Sequence, residues 1–149
     1  MIMVIGYVIV HLIHTRMEKN VNILEKLKQN KMKAILINAK TKEVKEVEMG
    51  RDYKEIYEQL DCTMFQIGTY LPKRDAIFVD EEGLLNGTDV FFTYEGAHQP
   101  FAGNGLVMGC DNVGESTDCK IKINEVKRKV KFYNKTELGW AMAMGVVKY

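Results

Sequence analysis

The residues best suited to chemistry lie in the last two thirds of the chain. Between Lys120 and Lys135 stand Lys120, Lys122, Lys127, Arg128, Lys129, Lys131 and Lys135, against the single acid Glu125. Such a cluster suits phosphate recognition, and the planar fork of Arg128 is the member made for bidentate contact. A solvated helix face is the plainer reading of the same run. Upstream, Phe91, Phe92 and Tyr94 share one expected strand, so alternation sends Phe92 and Tyr94 to one face and Phe91 to the other. One face packs the core, and the other offers a ring for stacking a nucleobase, an interaction worth roughly 1 to 3 kcal/mol per base.

Between these two features lies Ala102-Gly103-Asn104-Gly105. Its Gly103-x-Gly105-x-x-x-Gly109 spacing is one residue too long for the dinucleotide fingerprint, and Leu106-Val107-Met108 continues as a strand where that fingerprint needs a helix. There is no Walker loop. Asn-Gly is a strong hairpin-turn signal, while the Asn104 amide offers both donor and acceptor groups to a base or ribose edge. Seven of the twelve glycines fall between Gly83 and Gly114, which fits either close backbone approach to a ligand or the turns of an antiparallel meander.

Signals for catalysis or metal binding are thin. The chain has no H-E-x-x-H and no G-x-S-x-G, and at Asp111-Asn112-Val113-Gly114 the glycine arrives two positions too early for an EF-hand. Asp80-Glu81-Glu82 fits a turn or helix start better than a divalent-cation site. Cys62, Cys110 and Cys119 are an odd number without C-x-x-C spacing, so a reduced thiol state in a cytoplasm is expected. Cys119 as a nucleophile would need a base, and His98 is the one histidine in the main body. The expectation is therefore a protein that is not an enzyme and has no cofactor and no metal.

The elements that must position these residues follow from length and periodicity. A chain of 149 residues with 46% apolar and 28% charged residues suits one globular domain, and the net charge of +1 argues against a long nucleic acid as partner. Residues 1–15 carry no charge but are broken by Gly6, His11 and His14, too short a run to span a bilayer. They read as a weak anchor, an appended packing segment or sequence upstream of a later start. Val21, Ile23, Leu24 and Leu27 give an amphipathic helix over Met17 to Gln29. Then come a hairpin of AILIN and EVKEVEM around Lys40-Thr41-Lys42, and a helix capped by Asp52 that carries Tyr53, Ile56, Tyr57 and Leu60 and ends near Asp61.

Strands are expected over Thr63 to Tyr70, Ala76 to Asp80, Asp89 to Tyr94 and Leu106 to Cys110. Ile123, Val126 and Val130 suit a short helix, though Val130 to Tyr133 reads equally as a strand, and the apolar tail from Trp140 docks on the core or on a second subunit. The whole is an α+β fold with an antiparallel or mixed β-sheet and two or three helices: a single domain over 32–149 preceded by an extension over 1–31.

Four segments carry a family resemblance: MKAILINAKTKEVKEVEM (32–49), DYKEIYEQLDC (52–62), VDEEGLLNG (79–87) and QPFAGNGLVMGCD (99–111). Together they resemble a small-domain family of phages and their bacterial hosts whose function is unknown, and within it the first-type Thoeris anti-defence proteins, phage sponges for cyclic ADP-ribose isomers made by TIR enzymes. The likeness covers roughly Met32 to Val130 and omits the N-terminal extension. It implies a homo-oligomer in the host cytoplasm that holds a cyclic nucleotide messenger between subunits without cleaving it. By position it assigns ligand contact to Asn104 and to Phe91 or Phe92, with Gln99, Lys122 and Arg128 alongside. Two other readings stand beside it. One is a protein that blocks a host defence or nucleic-acid-processing protein through its tail and N-terminal helix, and the other is a small hydrolase using Cys119 or His98.

Overall fold

A computed structural model describes residues 31–147, together with residues 13, 14, 16–18, 20 and 23. Internal contacts divide the chain into Met1–Lys31 and Met32–Tyr149. In the first unit Ile13, His14, Arg16, Met17, Glu18, Asn20 and Ile23 are helical, and His14 Nε2 lies 3.1 Å from Glu18 one turn on. The remainder of the amphipathic helix expected over Met17 to Gln29, and most of the apolar run over 1–15, lie outside the described residues. No helix among the described residues is long and apolar enough to cross a membrane.

The second unit is α+β. Strands β1 (Lys31–Asn38) and β2 (Glu43–Gly50) form the expected hairpin, followed by α1 (Tyr53–Leu60), β3 (Phe65–Tyr70) and β4 (Asp75–Asp80). Helix α1 starts where its sequence signals: the Asp52 side chain accepts from the N–H of Lys54, and Asp61 ends it in the left-handed region with φ 51°. Next come β5 (Val90–Tyr94), β6 (Phe101–Ala102), β7 (Gly105–Cys110) and β8 (Ser116–Thr117). The chain then enters α2 (Ile123–Lys129), β9 (Val130–Asn134) and α3 (Lys135–Ala143). Both readings of the Val130 region are therefore realised in succession, because the helix ends at Lys129 and the strand starts at the next residue. Helix α3 begins where the Asn134 side chain accepts from Glu137 N–H at 2.8 Å, so the apolar tail opens as a capped helix.

Two sheets result. The larger runs β2-β1-β7-β4-β3 with β8 paired to the end of β7, and the smaller runs β6-β5-β9. Alternation along the strands of the larger sheet supplies two cores. Ala34, Leu36, Leu106 and Met108 face α1 through Ile56 and Leu60. Ile35, Ile37, Ile77, Val79 and Val107 face the smaller sheet and α2 through Phe92, Tyr94, Phe101, Val126 and Val130. On the far side of the smaller sheet, Phe91 and Ala102 pack with Leu138 of α3. The order of layers is α1, large sheet, small sheet with α2, then α3.

Where the sheets meet, side-chain volume limits what fits. A Cβ on Gly105 would stand 2.6 Å from the Phe92 ring, so the second glycine of the Ala102–Gly105 element is required by packing between the two sheets. The first, Gly103, has φ +81° and nothing nearby, and it serves the turn into β7.

Candidate functional site

The basic segment is placed by a buried acid. Asp75, at the start of β4, is 1% exposed. Its carboxylate accepts from the N–H of Lys120 and of Ile121, which fixes the loop that leads into α2. Helix α2 in turn buries Val126 and leaves Lys127 and Arg128 exposed. Antiparallel pairing of β5 with β9 sets Phe91 opposite Tyr133, Thr93 opposite Lys131 and Tyr94 opposite Val130. At the end of β5 the chain turns, with Ala97 N–H donating to Tyr94 O at 3.0 Å and Gly96 at φ +92°.

These constraints create a cleft of about 360 Å³ at one end of the small sheet, within the size range of small-ligand sites. Arg128, Lys129 and Lys131 form its cationic side, Gln99 and Tyr133 add polar groups, and Val147 beyond α3 contributes an apolar wall. Lys129 lies 3.2 Å from Glu125 and 6.0 Å from the centre of the Tyr94 ring, whereas Arg128 and Lys131 make no ion pair among the described residues. Tyr94 also lines the cleft, although it is only 4% exposed. Its hydroxyl is buried and has no hydrogen-bond partner among the described residues. Burial, reinforced by the negative charges of Glu125 and Glu95, pushes the phenol up to about 12, so it is a protonated donor at neutral pH. The cleft thus joins three cations, polar groups and aromatic side chains, with Glu95 as its acidic member.

The residues singled out from sequence divide among several places. Gln99 and Arg128 both line the cleft. Phe92 is fully buried, packed on Phe101 with ring centroids 5.2 Å apart, and has no face for a base to stack on. Phe91 is buried against Ala102 and Leu138. Both rings of the pair are core, and the aromatic side chains at the cleft are Tyr94 and Tyr133. Asn104 belongs elsewhere: its Oδ1 accepts from Ala39 N–H at 3.0 Å, tying β7 to the β1–β2 turn, and it borders a smaller hollow with Asp80 and Asn86. Lys122 is the exposed N-cap residue of α2 and is not part of the cleft wall. Sequence reasoning left out Lys129, Lys131 and Tyr133, although the charge cluster contained both lysines and alternation along β9 places Lys131 and Tyr133 on one face.

The acidic stretch is turn chemistry. Asp80 accepts from Glu82 N–H and from the Asn86 side-chain amide, both at 2.9 Å. Among the described residues no cluster of His, Cys, Asp and Glu is placed to hold a metal ion. Burial, with Asp75 adding to it, pushes the Cys119 thiol up to about 11, the reverse of what a nucleophile needs.

Residues 32–131 match the sequence model of a family described as Domain of unknown function (DUF3846), and the chain belongs to that family. No curated protein and no solved structure matches it.

Proposed function

We propose that this member of the DUF3846 family binds a small phosphorylated nucleotide in the cleft between β5, α2 and β9 and retains it unchanged. The observation that carries the reading is the convergence of Arg128, Lys129 and Lys131 with Gln99 and Tyr133 around one cavity of about 360 Å³. Two of these cations are free of ion pairing among the described residues, so an anion can engage them without displacing Lys129 from Glu125. Retention without turnover needs only tight binding and slow release.

The resemblance to the Thoeris anti-defence proteins narrows the ligand to a cyclic nucleotide immune messenger, a cyclic ADP-ribose isomer or a cyclic oligonucleotide, held by a homo-oligomer in the cytoplasm of a host cell. The test is capture and release. Protein incubated with a cyclic ADP-ribose isomer should deplete it from an ultrafiltrate, and heating should return it intact. A messenger that stays in the filtrate ends the reading, and one returned as cleaved product transfers the function to a hydrolase.

A second reading, inhibition of a host protein through a docking surface, is favoured by the exposed apolar residues Trp140, Met144 and Val146 on α3 and just beyond it. It predicts a stable heterocomplex lost in Trp140→Ala, and no thermal shift with nucleotides.

A further inference from the structure

A second concavity lies on the opposite side of the large sheet and shares no residue with the cleft just described. It measures about 570 Å³ and runs between α1, β3, β4 and the loop after β7. Its aromatic walls are arranged against one another. Phe65 lies 6.4 Å from Tyr53 with the rings 27° apart, and it meets Phe78 edge-on at 5.8 Å. The small residues Ala76 and Gly109 border the same space, so the groove has room beside this aromatic wall. Tyr53 and Tyr70 are 69% and 78% exposed, far more than a folding core requires of its aromatics.

At the mouth stands Arg74, which also borders an adjoining shallow basin with Arg51 and Lys120. Its backbone is unusual: Lys73 and Arg74 have φ +62° and +64°, two consecutive non-glycine residues in the left-handed region. The turn is clamped in that form by Leu71 N–H donating to Asp75 O at 2.8 Å, directly beside the anchored Asp75 carboxylate. Arg74 makes no ion pair among the described residues, and Asp111, which borders both the groove and the basin with it, accepts from the N–H groups of Val113 and Glu115. The groove therefore offers an aromatic wall and one guanidinium without an ion pair among the described residues.

We infer that this groove is a second ligand site, for a planar aromatic molecule bearing an anionic group, with the ring lying against the wall made by Tyr53, Phe65 and Phe78 and the anion on Arg74. A free aromatic carboxylate and a nucleoside monophosphate share that chemistry. The test is a titration of the full, isotope-labelled protein with 2-naphthoate, with adenosine 5′-monophosphate and with uncharged 2-naphthalenemethanol, followed by amide NMR shifts. At least one anionic probe should move Arg74 and Gly109, and it should bind there at least tenfold tighter than the neutral probe. Whichever anion does so identifies the source. Arg74→Asn, which suits the left-handed backbone, should abolish that tenfold preference, and Tyr53→Ala should weaken all probes. The inference is overturned if neither anion moves the groove amides, if the neutral probe binds equally well, or if those amides shift with protein concentration alone, which makes the groove a contact between copies. Movement of Gly96 and Lys131 with adenosine 5′-monophosphate bears only on the β5–α2–β9 cleft, so the two sites fail separately.

Discussion

The Asp75 carboxylate, buried at the start of β4, accepts a hydrogen bond from Ile121 N–H at 2.7 Å across 46 residues of sequence. Lys120 N–H adds contacts at 2.8 and 3.1 Å. Loss of the side chain leaves buried donors unpaired, so Asp75→Ala should cost about 3 kcal/mol. In a domain of this size that lowers Tm by roughly 10 °C. Asp75→Asn, which keeps one acceptor oxygen, should lose less. Thermal unfolding followed by circular dichroism decides it, and a change under 2 °C for the alanine variant removes Asp75 as the anchor of the loop.

The packing of Gly105 against Phe92 makes a second prediction. Gly105→Ala forces a methyl group to within 2.6 Å of the ring unless the two sheets separate, and it should destabilise by about 1 to 3 kcal/mol. Phe92→Ala, which empties a fully buried site, should cost about 3 to 5 kcal/mol. Chemical denaturation with both variants tests this. If Gly105→Ala is neutral while Phe92→Ala is not, the close approach is absent in solution.

For the cleft, Arg128→Gln and Lys131→Gln should each weaken retention of a cyclic nucleotide about tenfold or more, the scale of one lost charge-assisted contact. Lys122→Gln, which alters a lysine outside the cleft wall, should leave retention within twofold. Equal losses from all three would mean that attraction is diffuse and that no built site exists.

Alkaline pH offers a separate readout. Tyr94 is raised from 10.0 to about 12, mainly by burial. Between those values the unfolded chain has released a proton that the folded one still holds, so stability present below pH 10 is lost as pH rises toward 12. Tyr94→Phe should flatten that part of the profile. Because the hydroxyl has no partner among the described residues, the same variant should leave stability at pH 7 unchanged or higher. A loss at pH 7 would reveal a hydrogen bond that the phenol makes.

Thiol labelling tests the burial of the cysteines. Cys62 and Cys119 are both pushed from 9.0 to about 11, chiefly by burial. Near pH 8 each then holds roughly a hundredth of the thiolate of a free thiol. Labelling of these two residues by a disulfide reagent should be correspondingly slow and should accelerate through pH 11. Fast reaction of Cys119 at pH 7 would reopen a nucleophilic role.

Much of the fold was legible because single residues carried the signal. Asp52 with Tyr53, Ile56 and Leu60 announced α1, and alternation sorted Phe91 from Phe92 and Tyr94. The site was less legible. A phenylalanine that stacks a base and one that fills a core have the same local pattern, and only the second sheet across from Phe92 decides between them. Asn104 likewise has a side chain fit for a ligand, but its acceptor is taken by Ala39, 65 positions away in sequence. Short β6 and β8 exist through their partners, since two-residue strands such as Phe101–Ala102 and Ser116–Thr117 have no periodicity of their own.

Strand β7 pairs with β1 on one side and β4 on the other, and it supplies Val107 to one core and Leu106 and Met108 to the other. Ile35 faces Val107, 72 residues later (107 minus 35). During synthesis the hairpin and α1 therefore leave the ribosome with apolar faces that are only partly covered until β7 follows. Pairings so distant in sequence make folding slow and leave early segments open to aggregation. A chain interrupted before Leu106 completes neither core, so assembly is gated by a strand two thirds of the way along the message.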